Sequence, residues 1–219
     1  MAEGVYRITE QFEQALCDYT GAPYAIAIDN QSNALFLALI YEKIFRKGIS
    51  IPCRTYPSVP CSIINAGGYV IFEPVEGTTL KGAYQLKGSN VWDSALRFTH
   101  NMYLPKTHMC VSFTGQHKHL KLSKGGAILT DDYIAMQWFK RARFSGRREC
   151  SYHDDHFDML GWNFYMEPEK AARGLLLMPQ FYDVLTGLPK DMPDIELPYP
   201  DLSKYKIYYQ RVPDEYRYR

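Results

Sequence analysis

Nowhere do about 18 apolar residues run together, so no segment of this sequence is expected to cross a bilayer as a helix. Nor is there any CxxC pair. The five cysteines (Cys17, Cys53, Cys61, Cys110 and Cys150) are odd in number, which argues against a disulfide framework or a zinc site and fits thiols in a reducing compartment. Neither sign of charge is in excess: 25 Lys and Arg against 24 Asp and Glu leave +1, so no global field draws the chain to nucleic acid or anionic lipid. With no recognisable nucleic-acid-binding module either, neither nucleic acid nor membrane is an expected partner. The opening residues MAEGVYRITEQFEQ lack an apolar h-region, so a secretory leader is not expected and the expected location is cytoplasmic. Internal repeats and low-complexity tracts are also missing.

What is present is an ordinary globular composition. Of 219 residues, 46% are apolar and 22% charged, enough for one domain with a sizeable core. Phe12, Ala15, Leu16 and Tyr19 fall at helical spacing, and Gly21 ends that helix. The short apolar run Tyr24–Ile28 reads as a buried strand, and a helix over Ser32–Phe45 follows a polar turn. A strand over Ile49–Pro52 and a helix from about Ser58 to Ala66 come next. YVIFEP, NVWD and MCVSF are three more strand-length runs; helices then start at Asp132 and at Pro168, the latter reaching about Leu185. Short apolar runs alternating with helices predict an α/β fold, a mostly parallel central sheet with helices on both faces. After Thr186 the chain turns rich in proline, tyrosine and charge. The expected organisation is a domain over residues 1–185 and an extended tail over 186–219, partly packed on the domain or on a partner.

Four stretches carry candidate chemistry. IDNQSNALFLAL opens a helix directly after a strand, so its free backbone N–H groups form a ready anion site; a plain N-cap by Asn30 or Ser32 accounts for the same residues. Asp93 is expected at the carboxyl end of a strand, the edge where α/β sheets bind ligands, as a partner for a cationic group or as a structural cap. SYHDDHFD groups His153, Asp154, Asp155, His156 and Asp158, but with no recognised metal-ligand spacing, and no metal is expected. SFTGQHKHLKLSKGG packs two histidines and three lysines after a strand. It reads as a solvated basic loop or as a place where one amine does chemistry.

Together these stretches resemble the DegT/DnrJ/StrS family of fold-type-I, pyridoxal-phosphate (PLP)-dependent sugar aminotransferases. YAIAIDNQSNALFLAL parallels the family's YAVAVNSGTAALHLAL without a gap. IPCRTYPSVPCSIINAGGYVIFEP, WDSAL, SFTGQHKHLKLSKGGAILTDD and GWNFYMEPEKAARGL parallel four further family motifs in the same order, over about Glu10 to Leu177. The resemblance implies a PLP-binding large domain and transfer of an amino group from an amino-acid donor, with glutamate expected, to a keto-sugar nucleotide. It also implies a homodimer with shared active sites.

Counted back from Gly125-Gly126, the family's Schiff-base lysine falls on Lys118; counted forward from Ser112-Phe113, it falls on His117. Lys118 is chosen here because only an amine forms a Schiff base. A histidine at that position marks the family's PLP-dependent sugar dehydratases, which keeps dehydration as an alternative, beside a PLP-binding protein without turnover. The resemblance further implies that Asp93 pairs with the pyridinium nitrogen and that Tyr56 stacks on the ring. Gln31, Ser32 and Ser112 would hold the phosphate, and Asn163 would reach the neighbouring subunit's cofactor. Two residues depart from the pattern: Gln31 replaces a glycine, and Leu96 a Gln or His. The family's C-terminal small domain has little counterpart in this sequence.

Overall fold

The structure, a computed structural model, describes residues 7–209; positions 210–219 of the expected tail lie outside them. The described chain runs through eight strands and five α-helices: α1 (Arg7–Thr20), β1 (Tyr24–Ile28), α2 (Gln31–Tyr41), β2 (Gly48–Pro52), α3 (Ser58–Asn65), β3 (Tyr69–Glu73), β4 (Thr79–Gln85), β5 (Val91–Leu96), β6 (His108–Ser112), β7 (Gly126–Thr130), α4 (Tyr133–Ala142), α5 (Pro168–Leu177) and β8 (Glu196–Pro198). The last expected helix is shorter than its apolar pattern suggested, because Pro179 follows and the chain tightens into a 3₁₀ turn, Met178–Phe181. None of the helices is long and apolar enough to cross a membrane.

The α/β class stands, but the expectation of a mostly parallel sheet needs correcting. The main sheet runs β1-β7-β6-β5-β4-β8, and only its β5·β6 pair is parallel. A separate parallel pair, β2·β3, is joined by α3. The apolar pattern could not reveal this, since a strand buried on both faces is apolar throughout whichever way its neighbours run. In β1, for example, Ile26 and Ile28 face one core while Ala25 and Ala27 face the other. β4 (TLKGAYQ) is polar and contains a glycine, so it did not read as a strand.

One consequence of the pairing matters for function. β1, β5, β6 and β8 point the same way and β4 and β7 the opposite way, as their pairings require. The segments that leave β1, β5 and β6 therefore emerge at one edge of the sheet. These are the turn into α2, the run from Arg97 and the lysine-rich loop.

Two cores sandwich the sheet. On one face Ile26, Ile28, Cys110 and Ile128 pack with α2, α3 and α4; on the other Met109, Val111, Ala127 and Leu129 pack with α1 and α5. A buried ion pair crosses between the layers. Glu13 of α1 accepts from the Ala27 amide at 2.8 Å and from Arg143, which also donates to the Ala27 carbonyl at 2.8 Å. Lys140 and Glu149 stand 3.7 Å from Glu13 and Arg143 respectively, so the buried pair is the centre of a four-charge cluster.

Candidate active site

At the centre of this edge lies Asp93, 3% exposed. It was expected to end its strand. The structure instead carries β5 on to Leu96 and leaves Asp93 third of its six residues, because Ser94 to Leu96 continue the pairing with β4 and β6. Its register opposite Cys110 turns it to the α2 side. Three neutral donors hold the carboxylate: the Gln31 amide at 2.8 Å and the Ala95 N–H at 2.8 Å on Oδ1, and the Tyr84 hydroxyl at 2.9 Å on Oδ2. Tyr84 in turn shares a 2.6 Å hydrogen bond with Thr55. Burial raises the Asp93 pKa, against the pull of these donors and of the nearby Lys118 ammonium.

Of the residues in the lysine-rich loop, Leu120 and Leu122 are buried in the second core, which anchors the loop from below. Between these anchors and β6, Lys118 turns inward and His117 lies exposed. The Lys118 ammonium donates to the Ala95 carbonyl at 2.5 Å. Burial lowers its pKa, and the Asp93 charge opposes that shift. The remaining lysines point outward, Lys124 pairing with Asp29 at 3.1 Å. The stretch thus combines both readings open in the sequence: it is a basic loop with a solvated side, and one amine faces a buried carboxylate.

The turn from β1 into α2 is capped by Asn30, whose side chain accepts from the Asn33 N–H at 2.9 Å. That is the plain-cap reading, and it leaves Ser32 free to bond Ser58 at 2.7 Å. Gly126 lies against this turn. A Cβ added there would stand 2.7 Å from the Gln31 nitrogen and 2.8 Å from the Val111 carbonyl, so only glycine lets β7 and α2 approach so closely. Because Gly126 pairs with Ser112, it also brings Ser112 alongside Gln31.

The structure thus gathers Gln31, Ser32, Asp93, Ser112 and Lys118 at one edge. Tyr56 stands at the rim, 57% exposed, its ring 6.4 Å from that of Tyr199. Asn163 lies on the far side of the α2 turn, lining a cavity of about 160 Å³ with Asp29 and Lys124. Sequence reading missed Tyr84, Thr55 and Tyr199. Tyr84 sits on the strand that did not read as one, and Tyr199 lies in the tail, so neither carried a signal. In the His/Asp-rich segment Asp155 turns onto Arg147 and the Arg148 N–H, and Asp158 pairs with Arg141 and Arg148.

Comparison with solved structures finds the same α/β fold in proteins described as aminotransferases. A Bacillus cereus ATCC 10987 protein assigned as a PLP-dependent aminotransferase superposes with a TM-score of 0.67 at 20% identity, over 80% of this chain and 58% of its own. A DegT DnrJ EryC1 StrS aminotransferase from Brucella abortus gives 0.63 at 19% identity, over 78% of this chain and 58% of its own. Helicobacter pylori PseC, an aminotransferase involved in the biosynthesis of pseudoaminic acid, gives 0.59 at 16% identity, over 80% and 58%. The chain therefore spans less than two thirds of the length of these structures. Residues 4–84 match the DegT/DnrJ/EryC1/StrS aminotransferase family. No curated protein matches the sequence.

Proposed function

We propose that the chain is a PLP-dependent sugar aminotransferase, moving an amino group from an amino-acid donor, with glutamate as first candidate, to a keto-sugar nucleotide. The observation that carries this reading is the placement of an inward, partly buried lysine within the field of a buried carboxylate, next to a helix N-terminus. The donor set suits the cofactor: one amine for its aldehyde, one carboxylate for its ring nitrogen, and N–H and hydroxyl groups for its phosphate. Both Asp93 oxygens already accept hydrogen bonds, and the Gln31 side chain, the one donor fixed neither by the strand nor by Thr55, is the donor with which a ring nitrogen would compete.

Bound PLP would supply an electron sink for charge developing at the donor's α-carbon. This chain's residues do the rest. Lys118 would hold the cofactor and, with its pKa lowered by burial, moves protons at its Nζ more readily than a solvated lysine. Asp93, oriented by Tyr84 and the Ala95 N–H, would keep the ring nitrogen protonated. Ser32, Ser112 and the first amides of α2 take the phosphate. Tyr56 would cover the ring, and Asn163 would reach the second subunit of a homodimer working in the cytoplasm.

The test is the absorbance spectrum of the protein mixed with PLP. A visible band that borohydride fixes on Lys118, that Lys118→Ala abolishes, and that glutamate converts to the pyridoxamine form supports the reading. A band that glutamate leaves unchanged means binding without transamination. Loss of all turnover in His117→Ala with Lys118→Ala spared would transfer the assignment to a dehydratase.

A further inference from the structure

The tail does not trail away from the body; from Pro193 to Leu202 it crosses the ligand edge. At one end the Pro193 carbonyl lies 2.8 Å from His119 Nε2, next to Lys118. Asp194 then takes a two-pronged ion pair from Arg97, at 2.8 and 2.6 Å. Room for that pair comes from Gly82, which sits at positive φ in an irregularity of β4, where any Cβ would collide with the Asp194 carboxylate. Ile195 bonds the Leu96 carbonyl, and β8 adds to the edge of β4. At the other end Arg54 holds the Tyr199 carbonyl at 2.9 Å, and the Leu202 N–H bonds the Cys53 carbonyl at 2.8 Å, beside Tyr56. Leu202 is buried.

The segment therefore runs from the Lys118 loop to the Tyr56 loop, with Asp93 on the strand between them. Within it Tyr199 is partly buried, with its ring edge-on to Tyr56 and its phenol in the field of Asp93. Burial first, and then the Asp93 charge, push the Tyr199 phenol up to about 12. It is thus a neutral hydrogen-bonding aromatic at working pH, able to face a ring-bearing ligand without adding a charge beside Asp93.

We propose that residues 193–202 form the substrate-side wall of the Asp93–Lys118 site, and that Tyr199 is the wall residue that contacts a ring-bearing ligand and sets its fit. The proposal rests on reading this edge as a cofactor-and-substrate site. It assigns to the tail a covering role within the chain itself.

Two measurements on the full chain test it. Without PLP, lysines are acetylated with N-hydroxysuccinimidyl acetate and the rates at Lys118 and Lys121 are followed by mass spectrometry. Asp194→Ala, which releases the segment from Arg97 at the Lys118 end, is expected to speed labelling of Lys118 about tenfold while leaving Lys121 unchanged. An unchanged Lys118 rate in Asp194→Ala, or equal acceleration at both lysines, overturns the wall. With PLP, Tyr199→Ala is expected to weaken binding and Tyr199→Phe to restore it; equal affinity in Tyr199→Ala and the unmodified chain overturns the contact. If the unmodified chain takes up no PLP while Lys118 labelling responds as expected, the aminotransferase reading falls and the wall stands.

Discussion

Asp93 is a buried carboxylate whose hydrogen bonds all come from neutral groups, Gln31, Tyr84 and the Ala95 N–H, with Lys118 acting on it only through its field. Such a residue is poor for stability and good for chemistry. Its raised pKa means that the folded state keeps the proton more readily than the unfolded chain. Between the unfolded value of about 3.9 and the higher folded one, stability therefore falls as pH rises, and it stays lowered above. Asp93→Asn keeps every hydrogen bond, because the amide can donate to Tyr84, and removes the charge. Its thermal midpoint without cofactor is expected to match or exceed that of the unmodified chain at neutral pH, the advantage shrinking on acidification. The glutamate half-reaction is expected to slow strongly. A clear loss of midpoint at neutral pH would mean that the ionised carboxylate is structural.

At the scale of elements, the turn from β1 into α2 does two jobs at once. Gly126 presses on its backbone, so the turn itself has little freedom, and only the side chain of Gln31 can yield. That side chain stands on Asp93. Gln31→Ala keeps a good helix former at the first position of α2 and withdraws the amide. Losing one competing neutral hydrogen bond, about 1 kcal/mol, is expected to tighten PLP about fivefold in a fluorescence titration, while the cofactor-free midpoint drops. Weaker PLP binding in Gln31→Ala would instead make the amide part of the cofactor's own contacts.

For the molecule as a whole, the tail's attachment has its own pH signature. The Arg97 hydrogen bond, first of several causes, holds the Asp194 carboxyl below its usual range. A depressed carboxylate contributes stability above the unfolded value of about 3.9 and loses it as pH falls through the folded value. The pair is partly solvated, so the contribution is about 1 kcal/mol or less. Asp194→Asn is expected to lower the midpoint slightly at neutral pH, and the gap should close only below about pH 3.9. A gap that persists unchanged into strong acid would assign the effect to packing of the tail instead of the ion pair.

The sequence by itself determined the local pieces: the α1 stripe, the run Tyr24–Ile28, the capped start of α2, and Lys118 and Asp93 as residues worth placing. Each follows from periodicity, capping or motif order, which are written within a few residues of one another. Only the tertiary structure decided strand direction, since residues buried on both faces look alike in parallel and antiparallel pairs. It alone turned Gln31 onto Asp93, brought Tyr84 from an unrecognised strand to the same carboxylate, and laid Tyr199 across the edge. Those contacts join residues 62, 9 and 143 positions apart, a separation at which no local pattern records which side chains will meet.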